Sequence, residues 1–239
     1  MIRLFLEPVL SGSDVIEFSE EFHHLKNVLR VQPQDRIEII DNAGNYYLAS
    51  VMEFDPSLKI VRCILIKRSK ITDQSGVTMG ISLVKRDFES VIDNLTQLNV
   101  DRIIPFISER TIIRPVAGKN QKLRERWLGI AKEAAKQCRG KKIPSISEPI
   151  LFTELVKSAA DQKLIFSLEA NSRCLAEMEI RHSEILALVG PEGDFTCGEM
   201  ELAGANGFIP VRLSGNILRT SNAATVIAAL LLQRKGSLR

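Results

Sequence analysis

From residue 77 onward, short apolar runs alternate with longer segments whose apolar residues recur at helical spacing. The short runs predict strands over 77–84, 102–107, 163–168, 185–189 and 208–213. The longer segments predict a helix capped by Asp87 and further helices over 121–138, 199–205 and 221–233. Because a strand that returns to its sheet through a helix pairs in parallel, this half of the chain predicts an α/β domain with a largely parallel sheet.

The first 70 residues show a different pattern of apolar residues. Short apolar runs predict strands over 2–6, 36–41, 46–53 and 59–67, with turn-rich sequence between them. One helix is expected after the first strand, with Ser19 as its cap and Phe22, Leu25, Val28 and Leu29 on its apolar face. This content predicts a small β-barrel. The polar segment 68–76 predicts the boundary between the two, which gives domains at 1–72 and 73–239.

The composition is that of an ordinary globular protein, with 45% hydrophobic and 26% charged residues among 239. It excludes a disordered chain, a collagen-like repeat and a disulfide scaffold. The sequence shows neither an uncharged apolar run long enough to span a membrane nor a signal peptide, so we expect a cytoplasmic protein. Four cysteines and three histidines lack the close pairs of a metal site, so we expect reduced thiols and no metal.

Positive charge is concentrated between residues 110 and 142, which we call the basic segment. It holds eleven basic and two acidic residues, a net +9 in a chain whose total is +3. Such a density attracts polyanions, because phosphates that are neutralised by Lys and Arg release their counterions. A solvated helix face is the other interpretation of the basic segment, and the charge pattern leaves both open.

Two glycine-containing turns follow predicted strands of the α/β half. The first reads Gly-Pro-Glu-Gly-Asp at 190–194, and Thr196 and Glu199 then have the spacing of a helix capping box. The second starts at Leu213, and a helix follows from Thr220 or Ser221. Parallel strands end at one edge of a sheet, where α/β proteins bind ligands, so both turns are expected to line one pocket. A plain strand–turn–helix connection is the other interpretation of the first turn.

Around these turns the chain resembles the bacterial ribosomal RNA small subunit methyltransferase E family, which belongs to the SPOUT, or trefoil-knot, methyltransferases. The family's GPEGG turn reads GPEGD at 190–194, and its LG..ILR.ETA turn reads LSGNILRTSNA at 213–223. Its HL..VLR and P..SERT motifs match 24–30 and 105–111, its RW..I..EA..Q motif matches 126–137 and is followed by Arg139, and Lys85 follows a strand as in the family. The motifs occur in the family's order over nearly the whole chain.

The resemblance implies a fold, a reaction and a set of partners. It implies a PUA-like β-barrel that binds RNA, followed by a SPOUT methyltransferase domain, in a protein that works as a homodimer. The implied reaction transfers a methyl group from S-adenosylmethionine to N3 of a specific uridine in the 16S rRNA of the small ribosomal subunit. Neither a membrane nor a metal is implied.

The resemblance also assigns site residues. Cofactor binding falls on the end of one strand and on the two turns: Leu168, Val189, Gly190, Pro191, Glu192, Gly193, Leu213, Ser214, Gly215, Ile217, Leu218, Arg219, Thr220 and Ala223. Catalysis falls on Arg219, which would balance charge on a deprotonated base or bind a phosphate, and on Glu192, which would accept a proton or hold its turn. RNA binding is assigned to His24 and Arg30 of the barrel and to Arg110, Arg124 and Arg139 of the basic segment. Capping or packing of its own helix is the other interpretation of His24.

The chain departs from the family pattern at seven positions. Polar residues Asn94, Gln97 and Asn99 replace the Lys, Glu and Gly of the K.TELGV motif, Asp194 and Ser214 replace glycines of the two turns, and Ser221 and Asn222 replace the Glu and Thr of ETA. Asp194 adds a charge next to the expected cofactor, and Ser221 removes a carboxylate from a helix N-terminus. These changes bear on cofactor affinity, target choice and activity.

Three other interpretations stand beside a uridine-N3 methyltransferase. The departures leave open a SPOUT enzyme with another RNA target or methylated atom, and a catalytically degenerate RNA-binding homologue. An α/β enzyme that acts on small phosphates is the third, but the sequence has neither a Walker A loop nor a GxGxxG motif.

Overall fold

The computed structural model describes residues 2–6, 14–41, 44–71, 75–113, 118, 120–168, 172–180, 184–213 and 216–237. Ser214 and Gly215, which the resemblance assigns to cofactor binding, lie outside the described residues. The chain divides into two compact units, one of residues 1–73 with 136–142 and the other of residues 74–135 with 143–239. The sequence does not predict that the segment 136–142 belongs to the first unit.

The first unit contains a five-stranded sheet in the order β1-β3-β4-β5-β2. Its strands are β1 (Ile2–Leu6), β2 (Val15–Phe18), β3 (Arg36–Asp41), β4 (Asn45–Asp55) and β5 (Ile60–Lys70). β1 pairs with β3 in parallel, and the other pairs are antiparallel. Alternate side chains such as Ile37, Ile39 and Val61 are buried in one core. All of these strands except the four-residue β2 are predicted from the sequence.

The helix predicted after Ser19 is present but begins later than predicted. Residues 22–28 are helical, and over His24–Val28 the helix is of the π type, in which the N–H of Leu29 donates to the C=O of His24. Glu21 has a φ of +48°, so a right-handed helix cannot run continuously from Ser19. Of the four described residues on the predicted apolar face, Leu25 alone is buried, and Val28 and Leu29 are exposed.

The second unit is built on a parallel sheet, as the sequence predicts. Its described strands pair in the order β11-β13-β10-β12-β6-β7-β8, with β9 beside β7, and every pairing is parallel. The strands are β6 (Val77–Ser82), β7 (Arg102–Ile107), β8 (Ser145–Ile146), β9 (Ile150–Leu151), β10 (Gln162–Phe166), β11 (Arg173–Cys174), β12 (Ile185–Val189) and β13 (Ile209–Arg212). β8, β9 and β11 have two residues each, too few to show a period, and are not predicted.

Helices cover both faces of this sheet. They are α1 (Phe88–Gln97), α2 (Asn120–Gln137), α3 (Phe152–Leu155), α4 (Cys197–Ala205) and α5 (Thr220–Arg234), with a 3₁₀ turn at Leu175–Glu177. One core packs the sheet against α1, α2 and α5, and the other packs it against α3 and α4. Gly80 lets β6 pack closely against its neighbours, because a Cβ there would overlap the side chain of Leu188 and press on that of Leu155. Among the described residues, no helix is both long and apolar enough to cross a membrane.

The two predicted helix caps have opposite outcomes. Thr196 and Glu199 form the predicted capping box at the start of α4. Asp87 precedes α1, but its side chain makes no capping hydrogen bond, so that prediction is wrong. Its φ of +67° is left-handed, whereas a side chain that caps a helix usually sits on an extended backbone.

Candidate active site

A pocket opens where the carboxyl ends of β10, β12 and β13 meet. These strands are neighbours in the sheet, and the register places Phe166 of β10 opposite both Val189 of β12 and Val211 of β13. Together with Ile227 of α5, these three side chains give the pocket an apolar lining. The enclosed part is narrow, about 80 Å³, and its mouth carries the exposed side chains of Ile217 and Leu218.

The pocket brings together ten of the fourteen predicted cofactor residues: Leu168, Val189, Gly190, Pro191, Glu192, Leu213, Ile217, Leu218, Thr220 and Ala223. Gly193 and Arg219 are not among the residues that line it. Six lining residues were not predicted: Phe166, Ser167, Asp194, Val211, Asn216 and Ile227. Two of these could have been found from the strand pattern. Phe166 and Val211 pair in register with Val189 or with each other in neighbouring strands, so their side chains lie on the same face of the sheet as that of Val189.

A hydrogen bond ties the two turns together. Thr220 is the first residue of α5, and its buried hydroxyl donates to the C=O of Gly190 at 2.9 Å. A Cβ at Gly190 would lie 2.9 Å from the ring of Phe195, so a larger residue there would displace that ring. The N–H of Asp194 donates to the C=O of Pro191 at 3.0 Å and closes the first turn. The two turns therefore form one connected wall of the pocket.

The segment after β7 braces the first turn from outside. Arg110 donates through Nη1 to the C=O of Gly193 at 2.7 Å and of Phe195 at 3.3 Å. The N–H of Glu109 donates to a carboxylate oxygen of Glu199 at 2.8 Å. Arg110, which the sequence assigns to RNA binding, thus uses its guanidinium to hold the turn.

The two predicted catalytic residues are both exposed. Glu192 lines the pocket from the first turn. Arg219 immediately precedes α5, where its C=O accepts the N–H of Ala223 at 2.9 Å. It lies in the chain between Leu218 and Thr220, both of which line the pocket.

The other predicted RNA-binding residues lie at several places. Arg124 is exposed on α2 and donates through Nε to the C=O of Ile146 at 2.8 Å. Within the first unit, His24, Arg30 and Arg139 are exposed, and the C=O of Arg139 accepts a hydrogen bond from Arg3. No group of three or more His, Cys, Asp or Glu side chains in the described part of the chain is placed to hold a metal ion.

Comparison with known families defines the class of this protein. A family described as "RNA methyltransferase domain" matches residues 72–232, and one described as "RNA methyltransferase PUA domain" matches residues 19–53. With its parallel sheet and its pocket between two turns, the chain has the fold of a SPOUT RNA methyltransferase preceded by a PUA-like domain.

Individual relatives narrow the class to one family. The protein named Ribosomal RNA small subunit methyltransferase E in Synechocystis is 30% identical over 216 residues, which cover 87% of this chain and 69% of that protein. The enzyme of the same name from Neisseria gonorrhoeae, solved with S-adenosyl methionine, is 25% identical with a TM-score of 0.82, and covers 98% of this chain and 97% of that one. A putative methyltransferase from Legionella pneumophila, solved with the same cofactor, is also 25% identical with a TM-score of 0.82, at 97% of both chains. The chain belongs to the ribosomal RNA small subunit methyltransferase E family, as its motifs predict.

Proposed function

We propose that this chain transfers a methyl group from S-adenosylmethionine to N3 of a uridine in 16S rRNA and that it works as a homodimer. The observation that carries the proposal is the pocket between the two turns, at the edge of the sheet where α/β proteins bind ligands. Support comes from the Neisseria and Legionella relatives, which were solved with this cofactor and share the fold over almost the whole chain.

The residues of the pocket fit the chemistry of the cofactor. The apolar side chains of Phe166, Val211 and Ile227 suit the faces of an adenine ring. The carboxylates of Glu192 and Asp194 also line the pocket, and they complement the positive charge of a sulfonium. Because the enclosed part is about 80 Å³, a ligand of this size extends into the open mouth beside Ile217 and Leu218.

When bound, S-adenosylmethionine supplies an electrophilic methyl carbon, and the protein must present a uridine N3 that loses its proton as the new bond forms. Glu192 is exposed and lines the pocket, and in this proposal its carboxylate accepts that proton. Arg219 stands between two lining residues, and its guanidinium balances the negative charge that develops on the base. The turns hold the geometry through Thr220 and Gly190.

The test is a methyl-transfer assay with labelled S-adenosylmethionine. The substrate is small ribosomal subunits from cells that lack this gene, and nucleoside mass spectrometry identifies the product. We expect new 3-methyluridine in 16S rRNA. Label in another RNA or at another atom would show a different target, and absence of cofactor binding in calorimetry would show a degenerate RNA-binding homologue.

A further inference from the structure

A second cavity lies at the carboxyl end of β6, between the start of α1 and α2. Its volume is about 440 Å³, within the range of roughly 300–1,000 Å³ that is usual for ligand pockets. Leu83, Phe88, Leu123 and Trp127 give it an apolar lining. Lys85 also lines the cavity and contributes a positive charge. Among the described residues, none lines both this cavity and the candidate active site.

The second cavity has a positively charged surround. The described charged residues that line the cavity or stand next to a lining residue are five basic and two acidic, a net +3: Lys85, Arg86, Lys122, Arg124 and Arg126 against Asp87 and Glu89. Arg126 pairs with Glu89 at 2.6 Å, which neutralises that carboxylate. Lys85 and Lys122 are exposed. Apolar lining under a cationic surround is the chemistry that holds a base and its phosphate.

The second cavity and the candidate active site share one edge and one face of the sheet. β6 is the neighbour of β12 in the sheet, and Ile81 pairs with Val189, so the carboxyl ends of the two strands lie within one residue of each other. Adjacent strands lie about 4.8 Å apart. The lining residues Phe88 and Trp127 of the cavity belong to the same core as Phe166 and Val189 of the active site. The second cavity therefore opens at the same edge and on the same face of the sheet as the candidate active site.

We infer that the second cavity binds a nucleotide of the RNA substrate other than the one that is methylated. Its phosphate pairs with Lys85, and its base lies against Leu123 and Trp127. The carboxylate of Asp87 accepts hydrogen bonds from N–H groups of the base. This inference rests on the proposed function in one respect, namely that the substrate is RNA.

The chain provides its own probe, because Trp127 is its only tryptophan. The experiment titrates the full chain with a short oligouridylate, follows the emission of Trp127, and measures binding in parallel by anisotropy of a fluorescein-labelled copy. We expect the emission to change with the same midpoint as the anisotropy. Lys85→Met should weaken RNA binding several-fold. It should also reduce the slope of log affinity against log salt concentration by about 0.7, which is the loss of one phosphate contact on a single strand.

The matched control is Lys157→Met. Lys157 is also exposed, and it follows α3, which packs on the other face of the sheet. The Lys157→Met variant should therefore leave both the affinity for RNA and its salt dependence unchanged. RNA binding without a change in Trp127 emission, or equal behaviour of the two variants, would overturn the cavity assignment while the methyl-transfer assay still supports the proposed function. Absence of RNA binding in the anisotropy titration would also overturn the cavity assignment, whereas the proposed function is decided separately by the methyl-transfer assay on small ribosomal subunits.

Discussion

The carboxylate of Asp194 accepts a hydrogen bond of 3.0 Å from the backbone N–H of Leu168. Its other oxygen accepts the N–H of Phe195 at 2.8 Å, so one side chain ties the turn after β12 to the end of β10. Asp194 and Leu168 both line the candidate active site. Their contact therefore fixes the separation of two walls of that pocket.

This contact explains a departure from the family pattern. The family's GPEGG turn has glycine where this chain has Asp194, and the φ of +57° at this position is left-handed. Aspartate tolerates that region better than most residues, because its short polar side chain forms local hydrogen bonds. The chain thus keeps the turn conformation and adds a side-chain tie that glycine cannot make.

Variants of Asp194 separate the backbone requirement from the side-chain tie. Asp194→Gly removes the tie but suits the left-handed backbone, whereas Asp194→Ala removes the tie and keeps the strain. We expect Asp194→Ala to be less stable than Asp194→Gly by about 1 kcal/mol in denaturant unfolding. Both should bind S-adenosylmethionine more weakly than Asp194→Asn, which retains one acceptor oxygen. Equal stability of the Ala and Gly variants would contradict the role of the backbone.

The bond between Thr220 and Gly190 should contribute to both stability and cofactor binding. Thr220→Val keeps the shape and leaves the buried C=O of Gly190 without its donor, at a cost of about 1–3 kcal/mol in unfolding free energy. The control is Thr225→Val in the same helix, where the hydroxyl donates to the C=O of Ser221. That variant should change cofactor affinity little. An intact cofactor affinity in Thr220→Val would show that the two turns hold their geometry without this bond.

The sequence predicts most of the second sheet because its strands are buried on both faces and read as continuous apolar runs. β7 and β12 are predicted to the residue. The helix after Ser19 is predicted, but its later start and its π-type bonds over His24–Val28 are not, because the left-handed residue Glu21 interrupts an otherwise helical pattern. Local periodicity carries no information about such a backbone change.

The parts of the candidate site that lie in turns can be predicted from the sequence. The parts that depend on contacts between residues distant in the chain cannot. The two glycine turns mark the edge of the pocket from sequence alone. The bond from Arg110 to Gly193 joins segments 83 residues apart, and no local pattern encodes it. The cavity at Lys85 and Trp127 is likewise formed by two helices that are separate in the chain.

The buried thiol of Cys63 should make the first unit less stable in alkali. Burial raises the pKa of Cys63 to about 12, whereas the pKa of a thiol in an unfolded chain is about 8.5. Between these values the folded state holds a proton that the unfolded state loses, so the free energy of unfolding falls as pH rises. Unfolding measured from neutral pH to about pH 10 should show a shallower decline for Cys63→Ala than for the wild type and for the control Cys138→Ala, whose thiol is exposed. Equal slopes would contradict this assignment.

Arg219 should matter for turnover and little for folding, because its side chain is exposed. We expect Arg219→Ala to lower the rate of methyl transfer about a hundredfold, the usual effect of removing one group that stabilises developing negative charge. Arg212→Ala is the control, since Arg212 is also exposed at the end of β13 and does not line the pocket. Unchanged turnover in Arg219→Ala would remove this residue from the catalytic machinery.

Arg110 and Arg124 belong to the same basic segment, but their surroundings predict different phenotypes. Arg110 holds the first turn through Gly193, so Arg110→Ala should weaken binding of S-adenosylmethionine in calorimetry. Arg124 engages Ile146 through Nε and leaves its terminal nitrogens at an exposed position, so Arg124→Ala should leave cofactor affinity unchanged. Arg124→Ala should instead lower the slope of log affinity against log salt concentration for RNA by about 0.7. Arg139→Asn should have the same effect, and asparagine is chosen there because it tolerates the left-handed backbone of residue 139. If Arg110→Ala lowered the salt dependence and spared the cofactor, Arg110 would be an RNA contact, as its place in the basic segment first indicates.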